Sequence, residues 1–408
     1  MSNDVAGENQ RLLGDKQKDR GEKLKKVWTS GDTGRFQFTG QTRNIVLAVL
    51  NVLSNVMMNV SLPIYAGTMN ESGGDTFVLL INTCFIISIM FVLTTLFAKK
   101  FIDPTVTFKP TSKQKIYAMM GLFTALNGIF VVYASPLNRT PGYLQGILSS
   151  TTIPFTVLCR LIFLRKGISV AKSICTCVVL VGLFITIEPQ IWGIDADADA
   201  NAAHESAAAR ILWPLCFAFG FLPIGIMNVI CEKELKKEEG QSFGFIMWGQ
   251  FYQLGWMFLL FWTDFIPGFG EVNSASAFFS SLRRGLTCSY SNVSGCQDLI
   301  GKSWIFFVGY TFGNLFQYLL IQYAEGAVYA VVVQAMIAPL VTVFWAVFQY
   351  ENESGVFRWH PTFNTTTGFT IAGLCIIIPG VVLYNYFSSK ETKETTDKEL
   401  QITINESA

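Results

Sequence analysis

Long apolar runs, each closed by charges, prolines or glycines, alternate along this chain with shorter polar connections. A helix crossing the roughly 30 Å hydrocarbon core of a bilayer needs about 20 such residues, and ten runs meet that length. The first five run from Asn44 to Ala66, Asp75 to Ala98, Lys115 to Ala134, Gly142 to Leu164 and Ser169 to Glu188. The second five run from Ala209 to Ile230, Gln241 to Trp262, Ser303 to Tyr323, Gly326 to Gln349 and Thr367 to Phe387. The pattern predicts an all-α polytopic membrane protein of ten transmembrane helices. Residues 1–43 and 388–408 read as disordered cytosolic tails, 44–190 as a first five-helix repeat, and 191–208 as a luminal acidic linker. Residues 209–387 read as a second repeat holding a long luminal loop, 264–302. Five is odd, so the second half inserts upside down relative to the first, the plan of an inverted repeat.

Composition agrees. The 408 residues are 51% hydrophobic and 14% charged, where a soluble domain carries roughly 25% charged residues. A net charge of +1 gives no reason to expect a nucleic-acid partner, and no basic, apolar and small-residue series marks a removable signal peptide. Most of the 30 lysines and arginines fall in the N-terminal tail, the loops after even-numbered spans and the C-terminal tail; Arg139, Arg210, Arg283, Arg284, Lys302 and Arg358 fall in odd loops. The positive-inside rule therefore puts both termini in the cytosol. Glycosylation sequons at Asn70, Asn138, Asn292, Asn352 and Asn364 all lie in those odd loops. Cys288 and Cys296, eight positions apart in the long luminal loop, are expected to form a disulfide. In the same loop Ala275, Phe278, Phe279 and Leu282 share one helical face, a short amphipathic helix lying on the membrane or on the protein itself.

Polar side chains inside the runs are candidates for a solute path, because hydrocarbon leaves them no partner unless they meet each other or a wet cavity. Asn51, Asn55 and Asn59 follow four-residue steps on one face of span one. Asn127, Gln145, Ser149, Thr152, Asn228, Gln250, Gln253, Asn314, Gln317 and Gln334 complete the substrate-binding set. Any one of these residues alone reads better as packing glue between helices, whereas the aligned asparagines of span one read better as a pathway. Pro154 and Pro339 fall at matching places in spans four and nine, where a mid-helix proline bends the helix and suggests a gate. Glu188, near the luminal end of span five, is the candidate proton-coupling carboxylate, and Arg160 in span four reads as snorkelling to the headgroups. In the N-terminal tail, Glu8, Leu12 and Leu13 form an acidic dileucine pattern of the kind that sorting adaptors read. No cofactor or metal is called for.

The segments Asn55-Val-Met-Met-Asn59, Ser149 to Arg165 with its Ile-Pro, Val333 to Pro339, and the cysteine-bearing loop after span seven carry a resemblance. In joint order they resemble the chloroquine-resistance transporter-like family of the drug/metabolite transporter superfamily. The resemblance implies a ten-helix carrier of lysosomal, late endosomal or vacuolar membranes. It would move an amino acid, small peptide, glutathione-like thiol or cationic drug out of an acidic lumen, with protons. It also places at Asn59 a residue that governs which substrates pass. The loop departs from the family by holding two cysteines where the drug-resistance member has four.

Other classes fit less well. An intramembrane enzyme needs a paired-acid, His-Glu or Ser-His constellation at membrane depth, and both histidines, His204 and His360, are in loops. A seven-helix receptor fails on span count, and a channel lacks a charged ring or filter repeat. The nearest rival is a nucleotide-sugar or phosphate-ester exchanger, which would want several cations along its cavity.

Overall fold

The computed structural model describes residues 40–135, 139–140, 145, 148–149, 151–165, 168–191, 207–237, 241–291, 293–296, 298–324, 326–351, 356–361 and 365–407. The N-terminal tail with Glu8, Leu12 and Leu13, most of the linker, and Asn138, Asn292, Asn352 and Asn364 lie outside the described residues.

Helix α1 (Gly40–Glu71) is followed by α2 (Thr76–Phe97), which ends in a π-helical turn at Ala98–Ile102. Asp75 starts α2 by accepting the Val78 N–H at 2.8 Å, satisfying one of the four donors a helix N-terminus leaves open. Then come α3 (Gln114–Ala134), α4 (Thr152–Leu164), α5 (Val170–Ile191), α6 (Ala207–Phe219), α7 (Phe221–Leu235) and α8 (Ser242–Leu259). A 3-10 turn at Phe261–Phe265 leads to α9 (Ala275–Tyr290), α10 (Leu299–Tyr323), α11 (Ala327–Gln334) and α12 (Ile337–Val347). Strands β1 (Phe348–Glu351) and β2 (Val356–Trp359) precede the final helix α13 (Thr365–Ser407).

Seven stretches among the described residues are long and apolar enough to cross a membrane: Thr42–Glu71, Thr76–Ile102, Gln114–Ala134, Leu212–Leu235, Leu299–Tyr323, Ala327–Val347 and Thr367–Phe387. Thr152–Leu164 and Val170–Thr186 are apolar but shorter. Helix α8 is long enough, and the polar Gln250 and Gln253 side chains hold its hydropathy down. Leu93, Phe97, Phe163, Phe184, Leu212, Phe219, Leu259 and Val382 turn outward, each about half exposed or more. Such a belt is too apolar for water and fits lipid. The chain is a multi-pass helical membrane protein.

Small residues set the closest helix pairs, α1 with α10 and α5 with α13. A Cβ at Gly309 would sit 2.8 Å from the Met58 nitrogen, and one at Gly373 would collide with Thr186 Oγ1 and the Gly182 carbonyl. Without side chains there, backbones approach closely enough to pack in a solvent that gives no hydrophobic drive.

Three expectations need correction. Pro154 and Pro339 do not bend continuous helices. Each is the third residue of a new helix, α4 or α12, behind a turn at Thr151 or at Ala335–Met336. A first-turn proline gives up an N–H that has no helical partner anyway, so breaking the helix just before it is the cheaper solution. The bundle is all-α as expected, with one small addition: Phe348-Gln-Tyr-Glu351 and Val356-Phe-Arg-Trp359 pair antiparallel, Phe348 opposite Trp359. Their aromatic and polar alternation suits a strand period. Residues 388–407 continue α13 as helix where a disordered tail was expected. Lys172 pairs with Glu391 at 2.6 Å and holds the extension against α5. Arg160 does not snorkel, as the site geometry shows.

The disulfide forms between Cys288 and Cys296, with Cα atoms 5.0 Å apart. Helix α9 packs on the protein through Phe278, which meets Phe77 and Phe265, while Phe279 is 64% exposed. Around the disulfide, Ser72 Oγ donates to the Cys296 carbonyl at 3.0 Å and Arg284 Nε to the Ser72 carbonyl at 3.2 Å. Asn70 is exposed in the last turn of α1, at this same end of the bundle.

Candidate functional site

The asparagine stripe of α1 is a ladder. Asn59 Nδ2 donates to the Asn55 carbonyl and Asn55 Nδ2 to the Asn51 carbonyl, both at 2.8 Å, and Asn51 Nδ2 reaches across to the Gly313 carbonyl of α10 at 3.0 Å. On the next turn of α10, Gln317 Nε2 donates to Asn228 Oδ1 of α7 at 3.0 Å. Amides from α1, α7 and α10 thus line the bundle interior at one level.

That lining is not fully satisfied. Asn51 Oδ1, Asn228 Nδ2 and Gln253 Oε1 are buried and have no hydrogen-bond partner. Folded proteins rarely leave buried polar atoms unpaired, and three orphans on three different helices call for water or a solute as their partners in the bundle interior. Gln250, 2% exposed, stands one helical turn from Gln253 on α8.

Of the other predicted residues, Asn314 meets the Tyr310 side chain together with Gln253, and the rest lie apart from this group. Asn127 Nδ2 donates at 2.9 Å to the Gly220 carbonyl, where α6 gives way to α7. Gln145 Nε2 donates to the Ser135 and Thr140 carbonyls at 2.6 and 2.8 Å, tying down the connection between α3 and α4. Thr152 Oγ1 donates to the Ser149 carbonyl at the α4 break, Asn314 Nδ2 to Tyr310 within α10, and Gln334 closes α11 at its own break. Glu188 is half-buried near the end of α5.

Three arrangements were not anticipated. Arg160 of α4 holds Glu232 of α7 through Nε and Nη2 at 3.1 and 3.0 Å, and the other Glu232 oxygen accepts the Ala327 N–H that begins α11. At the opposite, disulfide-bearing end, Tyr133 Oη donates to Asp264 at 2.8 Å, and the Glu271 carboxylate accepts the Thr76 N–H and hydroxyl. Burial raises the carboxyls of Asp75 and Asp264 above the usual carboxylate range, and the nearby Glu271 carboxylate pushes both the same way. Within α2, Asn82 donates to Tyr65 Oη at 2.9 Å and accepts from Tyr290 Oη at 2.7 Å. Asn82 alone carried a legible signal, an amide inside a strongly apolar run.

A multi-span helical bundle with an amide-lined interior, broken helices and no metal cluster among the described residues defines a membrane protein built around a polar centre. The chain belongs to the CRT-like, chloroquine-resistance transporter-like family, whose model matches residues 45–384. It is similar to Crt homolog 3 of Dictyostelium discoideum, at 23% identity over 65% of this chain and 56% of that protein. Crt homologs 2 and 1 of the same organism are each 22% identical, over 68% and 70% of this chain and 59% and 61% of theirs. The chain thus spans roughly three fifths of the length of the curated relatives it matches. One solved crystal structure is similar over 83% of this chain and 98% of its own, at 13% identity with a TM-score of 0.49.

Proposed function

We propose that this protein is a secondary transporter that carries a small organic solute from an acidic organelle lumen to the cytosol by alternating access. The solute is an amino acid, small peptide, glutathione-like thiol or cationic drug-like molecule. The observation that carries the reading is the trio of orphaned interior atoms, Asn51 Oδ1, Asn228 Nδ2 and Gln253 Oε1. Three uncompensated amide groups away from water cost several kcal/mol in sum, roughly 1–3 each, unless a solute or water takes their place.

The architecture we propose is ten spans in two inverted five-helix repeats, with α8 and the shorter α4 and α5 completing the count. Matching proline-marked breaks in α4 and in α11–α12 support it, as do the pairings of α5 with α13 and α2 with α8, which link equivalent spans of the two halves. Discontinuous helices at equivalent places are the usual frame of a midplane site. The disulfide end is luminal and both termini are cytosolic, in a lysosomal, late endosomal or vacuolar membrane, reached through adaptors that read Glu8, Leu12 and Leu13. Asn70, Asn138, Asn292, Asn352 and Asn364 are then open to glycosylation, and Glu188 is the proton-coupling group.

A phosphate-ester exchanger is disfavoured by one contact. The cation that enters span four, Arg160, is already neutralised by Glu232, so it offers no free charge to a phosphate.

Uptake into proteoliposomes of amino acids, peptides, glutathione and amine drugs, with and without a pH gradient, tests the reading. Saturable flux driven by acid on the luminal face, and uncoupled from it by Glu188→Gln, is the expected result. Flux that rises linearly with solute concentration at every gradient would remove the carrier assignment.

A further inference from the structure

A cavity of about 500 Å³ opens at the disulfide end, apart from the interior amides. One wall is the last two turns of α1, with Pro63, Gly67 and Glu71; the other is Trp345, Phe348 and Tyr350 from α12 and β1, with Lys302 and His360 at the edge. Asn59, Pro63 and Gly67 follow four-residue steps, so the floor of the cavity continues the asparagine stripe of α1. Pro63 has no N–H to give the Asn59 carbonyl, which leaves that acceptor without its helical donor where stripe and cavity meet.

The charges on these walls are of opposite sign and are not spent on each other. Glu71 and Lys302 face one space without forming an ion pair, and no hydrogen bond engages the His360 ring among the described residues. An organic cation entering here meets Glu71 but also Lys302, and an organic anion meets the reverse. A molecule bearing both charges satisfies both walls, and the three aromatic rings offer its apolar body a surface. The volume suits an amino acid or a short peptide.

We propose that this cavity is a docking site for a zwitterionic solute with a bulky apolar side chain, its ammonium toward Glu71, its carboxylate toward Lys302 and its side chain against Trp345, Phe348 and Tyr350. The assignment rests on the carrier reading and narrows its solute to a zwitterion met first on the luminal side.

The open space over Gly67 makes a clean test. A Cβ there would meet nothing within 4 Å, so the side chain of Gly67→Leu enters the cavity. Binding of L-tryptophan, the dipeptide Trp-Gly, tryptamine and N-acetyl-L-tryptophan to purified protein in nanodiscs is measured by equilibrium dialysis. A zwitterion should bind at least about tenfold more tightly than tryptamine or N-acetyltryptophan, the loss expected for one missing charged contact. Glu71→Gln should erase the preference over N-acetyltryptophan, Lys302→Gln the preference over tryptamine, and Gly67→Leu all binding with no loss of melting temperature. Equal binding of the four probes, no saturable binding of either zwitterion, or zwitterion binding untouched by Gly67→Leu would overturn the site. Proteoliposome flux separates the two claims: flux indifferent to Gly67→Leu removes the site and keeps the carrier, while binding lost in Gly67→Leu without flux in any protein keeps the site and removes the carrier.

Discussion

Arg160 and Glu232, 72 positions apart in sequence, form an ion pair of 3.0 Å in which the side chains are only 16% and 5% exposed. Glu232 also caps α11, and Gly326, at φ 109, brings the backbone so near that a Cβ there would lie 2.6 Å from the Glu232 carboxyl carbon. One carboxylate therefore fastens α4, α7 and α11 together at the end of the bundle away from the disulfide. Two of those helices abut the proline-marked breaks.

Glu232→Ala strands a guanidinium in a poorly hydrated place, and the cost of such a half-removed pair is about 3–5 kcal/mol. Replacing both partners together, as Arg160→Met with Glu232→Leu, should restore most of that, since an apolar pair of similar volume has no desolvation penalty. Thermal melting in detergent of wild type, both single variants and the double variant reads the coupling directly. Additive losses would mean that the two residues do not act as a pair.

The Cys288–Cys296 bridge closes a loop with a sequence separation of 8. Loop-closure entropy for so short a ring predicts about 2–3 kcal/mol of stabilisation from the cross-link. Cys288→Ser should lower the melting temperature in non-reducing buffer, and reductant should shift wild type toward the variant while leaving the variant unmoved. Alkylation under denaturing, non-reducing conditions should label seven cysteines, the free ones being Cys84, Cys159, Cys175, Cys177, Cys216, Cys231 and Cys375.

These two contacts show where sequence is informative and where it is not. The spans were legible because bilayer thickness imposes a length on every apolar run, and the disulfide because its partners are close in sequence. Glu232 was invisible for the opposite reason: it sits in a run of glutamates and lysines that reads as a solvated loop, and only the arrival of Arg160 on another helix makes its burial tolerable. The asparagine stripe was legible as a face of α1, while its partner, the Gly313 carbonyl, was not, since a backbone acceptor leaves no mark in side-chain pattern. Pro154 and Pro339 announced a disturbance without saying whether the helix would bend or break. The β1–β2 hairpin is too short for its alternation to stand out beside an apolar helix.

Acid should stabilise the disulfide end. Burial lifts the Asp264 and Asp75 carboxyls above their unfolded values, so folding favours the protonated form of each. Stability from this source is fully present below the unfolded carboxylate pKa and is lost as pH rises through the raised folded value. Asp264→Asn keeps an oxygen able to accept from Tyr133 Oη and the Glu271 N–H but removes the titration. The difference in melting temperature between variant and wild type should therefore favour the variant near neutrality and shrink toward zero in acid. A constant difference across that window would assign the effect to packing.

The α1–α10 contact gives the strictest steric test. A Cβ at Gly309 would lie 2.8 Å from the Met58 nitrogen and 3.1 Å from the Ser54 carbonyl oxygen, both backbone atoms that cannot rotate away. Gly309→Ala therefore has to push two helices apart along the same face that carries Asn51 and Asn55, at a cost of about 1–3 kcal/mol for overpacking. Gly255→Ala in α8 is the control: its Cβ meets nothing within 4 Å, and the gain in helix propensity is up to about 1 kcal/mol. Opposite shifts in melting temperature for the two substitutions are expected. Because separating α1 from α10 lengthens the Asn51–Gly313 hydrogen bond, Gly309→Ala should also weaken solute uptake by more than its stability loss explains, measured at a temperature where both proteins are fully folded. Equal uptake per folded molecule would detach the asparagine stripe from transport and leave it as packing between two helices.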